Sequence, residues 1–187
     1  MNASEVLALL EERGAVRHGH FLLSSGKHSE VYVEKARVFE DATLTARLGE
    51  EIASWYPTVR TVVSPAVGAL PLGFAVAVAA GARFLYAERS GDVMTLRRGF
   101  VLRPDEPTVV VEDVVTTGGS AAAVHGLVVE SGASALGVAA LVDRSASDLS
   151  FPLRALTRVA AEAYDPERCP RCAEGSTPES PGSRRLA

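Results

Sequence analysis

The sequence predicts an α/β fold in which helices flank a central parallel β-sheet. Mostly apolar runs at 61–64, 108–111 and 135–142 alternate with helix-forming stretches, an order typical of parallel strands joined by crossover helices. Ahead of them, two apolar-rich stretches at 15–23 and 31–33 surround a Ser-Gly turn. This arrangement predicts a hairpin ahead of the sheet.

The other predicted elements follow in order along the chain. Asn2, with Glu5 three residues later, has the pattern of a capping box at the start of a first helix. Residues 41–56 carry apolar side chains at close to helical spacing, and Pro57 ends this helix. Further helices are expected at 72–80 and 121–130, and further strands at 83–87 and 151–161.

Length and charge limit the possible classes of protein. At 187 residues the chain has the size of one domain. A net charge of -4 and a pI near 5.6 argue against general nucleic-acid binding. No apolar run of about 18 residues and no signal-peptide pattern is present. We therefore expect a cytoplasmic protein with no membrane contact.

The domain organisation follows from a change in composition near the C-terminus. We expect a single domain over residues 1–165, with an N-terminal part at about 1–40 and the core at about 41–165. Residues 166–187 contain both cysteines and many Ser, Pro, Gly and charged residues. Such a composition indicates a flexible tail.

The most informative stretch is residues 108–120, where a β-branched run ends in Glu112 and Asp113 and leads through two valines to Thr-Thr-Gly-Gly-Ser and a helix. Ligands of open α/β sheets bind beyond the carboxyl ends of the strands. A helix N-terminus with nearby hydroxyl groups favours phosphate. The two acids are suited to accept hydrogen bonds from sugar hydroxyls, so the stretch predicts a site for a ribose 5-phosphate.

This stretch resembles the binding signature of the type I phosphoribosyltransferases for 5-phosphoribosyl-1-pyrophosphate (PRPP), which has four mostly apolar residues, two acids, two apolar residues and Thr-Thr-Gly-x-Ser. The resemblance implies that Glu112 and Asp113 act in catalysis. It also implies that PRPP contacts a continuous set of residues: Glu112, Asp113, Val114, Val115, Thr116, Thr117, Gly118, Gly119 and Ser120.

Residues 21–33 resemble the N-terminal hood of the orotate phosphoribosyltransferases, whose pattern is Phe-x-Leu-x-Ser-Gly-x-x-Ser before an aromatic strand. The resemblance implies a small N-terminal hood, over about residues 1–40, beside the central sheet. That family often has a basic residue where this chain has Ser24, and Lys27 is a candidate to replace it. Arg144 follows an apolar strand and Asp143, as does the family's arginine for the orotate carboxylate. The resemblance thus implies that orotate contacts Thr116, Arg144 and Lys27.

Two further segments resemble the pyrophosphate-binding parts of the same family. The loop after the strand at 61–64 implies PRPP contacts from Ala66, Val67 and Gly68. The polar segment 88–99 lies where the family has a mobile basic loop, and it carries arginines in place of lysine and histidine. On this reading Arg89 and Arg98 act in catalysis and Arg97 binds PRPP. A solvated β-hairpin is an equally good interpretation of 88–99.

The resemblance covers about residues 18–145 and implies transfer of a phosphoribosyl group from PRPP to orotate, giving orotidine 5′-phosphate and pyrophosphate in pyrimidine synthesis. It further implies Mg²⁺, held mainly by PRPP and water, and a homodimer. The alternatives are a phosphoribosyltransferase for another base, a purine or a different pyrimidine, and a PRPP-sensing regulator without turnover. Arg144 favours orotate as the substrate, because a neutral base has no carboxylate that could form an ion pair with its guanidinium.

The histidines and cysteines are open to several interpretations. Cys169 and Cys172 form a C-x-x-C pair, which is half of a zinc site, a redox pair or two free thiols. His18 and His20 would share one face of a regular strand, but with no third ligand nearby they are interpreted as surface or turn residues.

Overall fold

The computed structural model describes residues 1–23, 25–91, 93–160 and 162–181. Its strands are β1 (Val16–Leu22), β2 (His28–Val33), β3 (Thr61–Pro65), β4 (Arg83–Ser90), β5 (Val93–Leu96), β6 (Pro107–Val115), β7 (Ser134–Asp143), β8 (Leu153–Arg158) and β9 (Ala163–Tyr164). Its α-helices are α1 (Ala3–Glu12), α2 (Ala36–Phe39), α3 (Ala42–Ser54), α4 (Leu70–Ala80), α5 (Gly119–Glu130) and α6 (Pro170–Ala173), and Pro166–Arg168 forms a 3-10 turn.

The core of the molecule is a six-stranded sheet in the order β5-β4-β3-β6-β7-β8. The strands from β4 to β8 are parallel, and β5 pairs antiparallel with β4 at one edge. The predicted parallel sheet is therefore confirmed. Segment 88–99 spans the β4–β5 hairpin, the alternative that its sequence left open.

Helices cover both faces of this sheet because its strands are apolar on both sides. In β6, Val109 and Val111 face one core cluster, while Val110 between them faces the other. The first cluster contains buried side chains of α3 and α4, and the second contains those of α5. This alternation explains why the strands appear in the sequence as continuous apolar runs rather than alternating ones.

Local signals define where the helices begin. The Asn2 side chain accepts from the Glu5 backbone N–H, and the Glu5 carboxylate accepts from the Asn2 backbone N–H, both at 2.9 Å. The capping box is thus confirmed. Asp41 caps α3 by accepting from the Leu44 N–H at 2.9 Å. A side chain at Gly49 would press against the backbone of Ala75, so glycine allows α3 and α4 to pack closely.

The hood is a separate three-stranded sheet in the order β1-β2-β9. β9 lies after the last strand of the core, so the hood combines both ends of the chain. Further along, the Glu179 backbone donates to the His20 carbonyl and accepts from the Leu22 N–H, both at 2.8 Å. The described part of the tail, residues 166–181, therefore lies against the hood, and the domain boundary at residue 165 stays a prediction.

No helix in the described part of the chain combines the length and the apolar character needed to cross a bilayer.

Candidate active site

A cavity of about 430 Å³ opens at the carboxyl ends of β3 and β6. It brings together the two loops that the sequence predicted to bind PRPP, one after each strand, and adds a lysine from the hood. Its lining consists of Lys35, Pro65, Ala66, Val67, Gly68, Glu112, Asp113, Val114, Val115, Thr116, Thr117, Gly118, Gly119, Ser120 and Ala121.

The paired acids lie at the base of this cavity, in the last residues of β6. Both are buried, with Glu112 7% exposed and Asp113 4% exposed. The Asp113 backbone N–H donates to Glu112 Oε1 at 3.0 Å, and the Val114 N–H donates to Asp113 Oδ1 at 2.6 Å. The Lys35 ammonium forms an ion pair with Asp113 Oδ2. One negative charge of the pair is therefore balanced by the hood.

Glu112 forms no ion pair with any residue that the structure describes. Burial, and then the charge of Asp113, raise the pKa of Glu112 to about 8. The carboxyl group is therefore largely protonated at neutral pH while no ligand is bound, which avoids two adjacent buried negative charges. A protonated carboxyl group can donate as well as accept a hydrogen bond, which suits a hydroxylated ligand.

The loop after β3 approaches the acids at Gly68, and its Ala66–Val67 peptide bond is cis. A side chain at Gly68 would collide with Asp113 Oδ2 and with Lys35 Nζ. Glycine is required here because the loop backbone passes directly over the ion pair. The loop thus narrows one side of the cavity and places backbone groups beside the paired acids.

The loop after β6 forms the opposite side of the cavity and leads into α5. Gly118 adopts a φ of 75°, and a side chain there would meet Leu149 and Phe151. Gly118 provides no side-chain cap for α5, and the residues of the first turn of this helix line the cavity together with Thr116 and Thr117. Such a helix N-terminus is a binding site for an anion.

Arg144 lies beside this loop, directly after β7. Its backbone N–H donates to the Val115 carbonyl at 2.8 Å, next to the start of the threonine loop. Its guanidinium is partly buried and donates weakly to the Ser29 hydroxyl and the Val31 carbonyl, at 3.4 and 3.3 Å. Burial lowers the pKa of Arg144. Its Nε has no hydrogen-bond partner among the described residues, which leaves a donor for an anionic ligand.

Other predicted residues lie elsewhere. Lys27 lies in the hood turn, where its ammonium is 3.5 Å from Asp165. Arg89 is in β4, and Arg98 forms a two-point contact with Glu88 at 3.2 Å. The lining of the cavity, as far as the structure describes it, includes none of these side chains or of Arg97. Ser24, at the position where the related hood often has a basic residue, is outside the described residues.

Lys35 is a site residue that the sequence reasoning missed. It follows β2 by two residues and lies 78 positions before Asp113 (113 - 35) in the chain. A basic residue directly after an aromatic strand of the hood was the available signal. The sequence instead favours Lys27, in the turn before the same strand, as the basic residue of the hood.

The parallel sheet, the paired acids and the uncapped helix at the carboxyl edge together define the fold and site of a phosphoribosyltransferase. No protein-family model matches the chain. Over 182 residues it is 48% identical to the orotate phosphoribosyltransferase of Thermotoga petrophila, covering 95% of this chain and 97% of the relative. Over 190 residues it is 42% identical to that of Desulforamulus reducens, covering both chains completely. The chain belongs to the orotate phosphoribosyltransferase family.

Solved structures agree with this assignment. The orotate phosphoribosyltransferase of Aeropyrum pernix has a TM-score of 0.69 at 27% identity, covering 82% of this chain and 93% of that chain. An adenine phosphoribosyltransferase of Thermoanaerobacter pseudethanolicus has a TM-score of 0.66 at 18% identity, covering 80% of this chain and 99% of that chain. The second similarity concerns the fold alone.

The raised pKa of Glu112 predicts how stability depends on pH. Between pH 4.5, the ordinary value for the group, and about pH 8, the folded protein retains a proton that the unfolded chain has lost. The free energy of unfolding should therefore decrease as pH rises through this window, by at most about 1.4 kcal/mol per pH unit from this group.

Glu112→Gln should remove that contribution, because the amide is neutral at every pH. Urea denaturation of the ligand-free protein from pH 5 to 8.5 measures the effect, with the exposed Glu50→Gln as the matched control. An unchanged pH dependence in Glu112→Gln would contradict the assignment.

Proposed function

We propose that the protein transfers the phosphoribosyl group of PRPP to orotate, giving orotidine 5′-phosphate and pyrophosphate. The proposal rests on the observation that a buried acidic pair and an uncapped helix N-terminus lie in one and the same cavity. These two features suit the diol and the 5′-phosphate of one ribose 5-phosphate. The names of the relatives indicate that the acceptor base is orotate and that the phosphoribosyl group is transferred to it.

The phosphate end of PRPP is assigned to the loop that leads into α5. Hydroxyls of Thr116, Thr117 and Ser120 and the free N–H groups of the helix would bind the 5′-phosphate. The negative ligand would also interact favourably with the positive end of the helix dipole. Binding here fixes one end of the substrate, which leaves the anomeric carbon at the acidic pair.

The acidic pair is assigned to the ribose. Departure of pyrophosphate from the anomeric carbon leaves positive charge on the ring, as in glycoside cleavage. Asp113 and Glu112 would accept hydrogen bonds from the two ribose hydroxyls and stabilise this charge. The bound diol and cation also favour the ionised form of Glu112, so we infer that its proton is lost when substrate binds.

The pyrophosphate is assigned to the opposite side of the cavity. Ala66, Val67 and Gly68 would provide backbone contacts, and Lys35 would provide a positive charge beside the leaving group. Mg²⁺ would be held mainly by PRPP and water, and the carboxylate and hydroxyl oxygens of the cavity are suitable ligands for it. The ion would neutralise charge on the pyrophosphate.

The arginines of segment 88–99 stay predicted partners of the pyrophosphate. This hairpin would have to approach the cavity for Arg89 and Arg98 to act in catalysis and for Arg97 to bind PRPP. Arginine is suited to bind phosphate through two parallel hydrogen bonds. It cannot transfer a proton near neutral pH, so its role would be electrostatic.

The base is assigned to the region between the threonine loop and the hood. Arg144 would bind the orotate carboxylate, since its guanidinium is partly buried and has no carboxylate within ion-pair distance among the described residues. The Thr116 backbone would contact the pyrimidine ring. Lys27 as an orotate ligand stays a prediction, and its contact with Asp165 would have to break. A neutral purine or pyrimidine would leave the charge of Arg144 without a partner.

We also propose a homodimer. Phe74 and Val78 lie one helical turn apart on α4 and are 58% and 65% exposed, so they form an apolar strip on an outer face. A second copy of the chain is the partner that family membership favours. The cytoplasmic location stays a prediction.

The reaction is tested by mixing the purified protein with PRPP, Mg²⁺ and orotate and following the loss of orotate absorbance. Loss that requires both PRPP and Mg²⁺ is expected. PRPP binding without loss of orotate would contradict the base assignment, and a panel of other bases would then identify the substrate. PRPP binding without turnover of any base would favour a regulator.

Asp113→Asn should lose most of the turnover, because the amide cannot stabilise the developing positive charge. The loss should be about 100-fold or more, as for other groups that act on transition-state charge. The matched control is Asp105→Asn, an exposed position in the turn before β6, which should retain activity. Wild-type rates in folded Asp113→Asn would exclude the role.

Arg144→Gln should raise the KM for orotate about tenfold or more while changing the KM for PRPP little, because one charge-assisted contact contributes about 1.5–3 kcal/mol. Arg158→Gln, at the exposed end of the neighbouring strand β8, is the control. An equal rise in both KM values would instead indicate that the hood had been displaced.

Phe74→Asp should convert the dimer to a monomer, because a charge at the centre of an apolar contact is strongly unfavourable. Light scattering after size-exclusion chromatography measures the mass, and Val129→Asp on the exposed face of α5 is the control. A wild-type protein that is monomeric at all concentrations would contradict the proposal.

A further inference from the structure

Four possible metal ligands converge between the hood and the C-terminal tail. His20 is in β1, His28 begins β2, and Cys169 and Cys172 flank the start of α6. Their ligand atoms all lie within 4.8 Å of one another. This cluster is distinct from the cavity that contains Glu112 and Asp113, and no step of the proposed reaction uses it.

The spacing of the four atoms has the dimensions of a tetrahedral site. His20 Nε2 lies 3.0 Å from His28 Nδ1 and 3.4 Å from Cys169 Sγ. Cys172 Sγ lies 3.8 Å from His20 Nε2 and 3.3 Å from His28 Nδ1. For Zn–N and Zn–S bonds of about 2.0 and 2.3 Å, the edges of a regular tetrahedron are roughly 3.3–3.8 Å. One zinc ion and these four ligand atoms would therefore fit a tetrahedral site with only small shifts of the side chains.

The surroundings favour a closed site. His20, His28 and Cys169 are buried, and Cys172 is half-buried. Two thiolates and two neutral imidazoles would balance the charge of one Zn²⁺, so the assembly would be neutral inside the protein. Ser176 Oγ lies 3.2 Å from His20 Nδ1. A hydrogen bond from Nδ1 to this hydroxyl selects the tautomer in which Nε2 is free to bind a metal.

A local irregularity of β1 explains why His20, and not His18, joins the cluster. The pairing with β2 shifts register between His18 and Phe21, as at a β-bulge, so the two histidines do not share one face. His20 is buried, whereas the imidazole of His18 is 69% exposed and lies 3.8 Å from Glu11. The interpretation of His20 as a surface or turn residue is therefore wrong.

We propose that His20, His28, Cys169 and Cys172 bind one Zn²⁺ in a closed structural site that fastens the tail to the hood. A disulfide between the two cysteines would account for the C-x-x-C pair, but it would give no role to two buried imidazoles directed at the sulfur atoms. A set of two nitrogen and two thiolate ligands with no open position is typical of structural zinc.

The site would act on the base-binding region through β2. Ser29 and Val31, which contact Arg144, follow His28 in this strand. Zinc would hold the start of β2 against the tail and thereby hold these contacts in register. This consequence rests on the proposed function, whereas zinc binding itself does not.

Metal analysis of the full chain tests the proposal directly. The protein is produced without a histidine tag and measured by mass spectrometry for zinc, iron, nickel and copper. Wild type should contain about one zinc per chain, and Cys172→Ser and His20→Ala should lose most of it. His18→Ala, two positions away in the same strand, should retain the full amount. Equal zinc content in all variants would overturn the ligand assignment.

Two measurements on the wild-type chain keep the test decisive if the variants do not fold. Modification of the thiols should release the zinc in proportion to the cysteines modified. The chelator-treated chain should take up one Co²⁺ and show thiolate-to-cobalt charge transfer with the intense d–d bands of a tetrahedral site. A zinc-free protein that takes up no cobalt, or that carries a Cys169–Cys172 disulfide as purified, would overturn the proposal. Equimolar iron would overturn the choice of ion.

Removal of the metal should also expose the tail. Chelation is expected to lower the Tm and to make the chain after β8 sensitive to protease, and added Zn²⁺ should reverse both effects. These measurements need neither PRPP nor orotate, so their failure is distinguishable from a wrong base assignment. Unchanged protease resistance after complete removal of zinc would exclude the fastening role.

Discussion

The burial of two adjacent carboxyl groups at the end of a parallel strand is the constraint on which the rest of the site depends. Two unpaired negative charges in that position would be strongly unfavourable. The protein reduces this energy in two ways: Lys35 from the hood balances Asp113, and Glu112 retains its proton. Gly68 then permits a second loop to pass over the ion pair. Hood, sheet and loop are thus joined at one point, and in the proposed reaction this arrangement of charge would be in place before the sugar cation forms.

The parts of the structure that were predictable from the sequence are those encoded in contiguous residues. Strand β6, its acids, the threonine loop and α5 follow one another within 24 residues (107 to 130), so their order alone indicates the site. The central sheet was predictable because its strands are covered on both faces and their sequences are continuously apolar. The helix starts at Asn2 and Asp41 were predictable, since a capping side chain contacts the backbone only three residues away.

The remainder depends on contacts between distant residues. Lys35 becomes a site residue only because the hood lies over the core, and periodicity carries no information about that placement. The side chains of His18 and His20 do not share one face because the pairing of β1 with β2 shifts register between His18 and Phe21. The two-residue repeat of a regular strand does not predict such a shift. The C-x-x-C pair is only half of a site when it is considered alone. Its two histidines lie about 150 positions earlier in the chain, so sequence proximity could not connect them.

The third strand of the hood has a consequence for how the protein is made. The two ends of the chain meet in this small sheet, whereas the sheet of the core is complete at residue 158. A ribosome releases the chain in order, so the core can fold while β1 and β2 still lack β9. The surface that the tail covers stays open until residues 163–179 have been synthesised, and a chain that stops after β8 would have a core sheet with an unfinished hood. Quality control that detects exposed strand edges would therefore distinguish chains that lack β9 from chains that contain it.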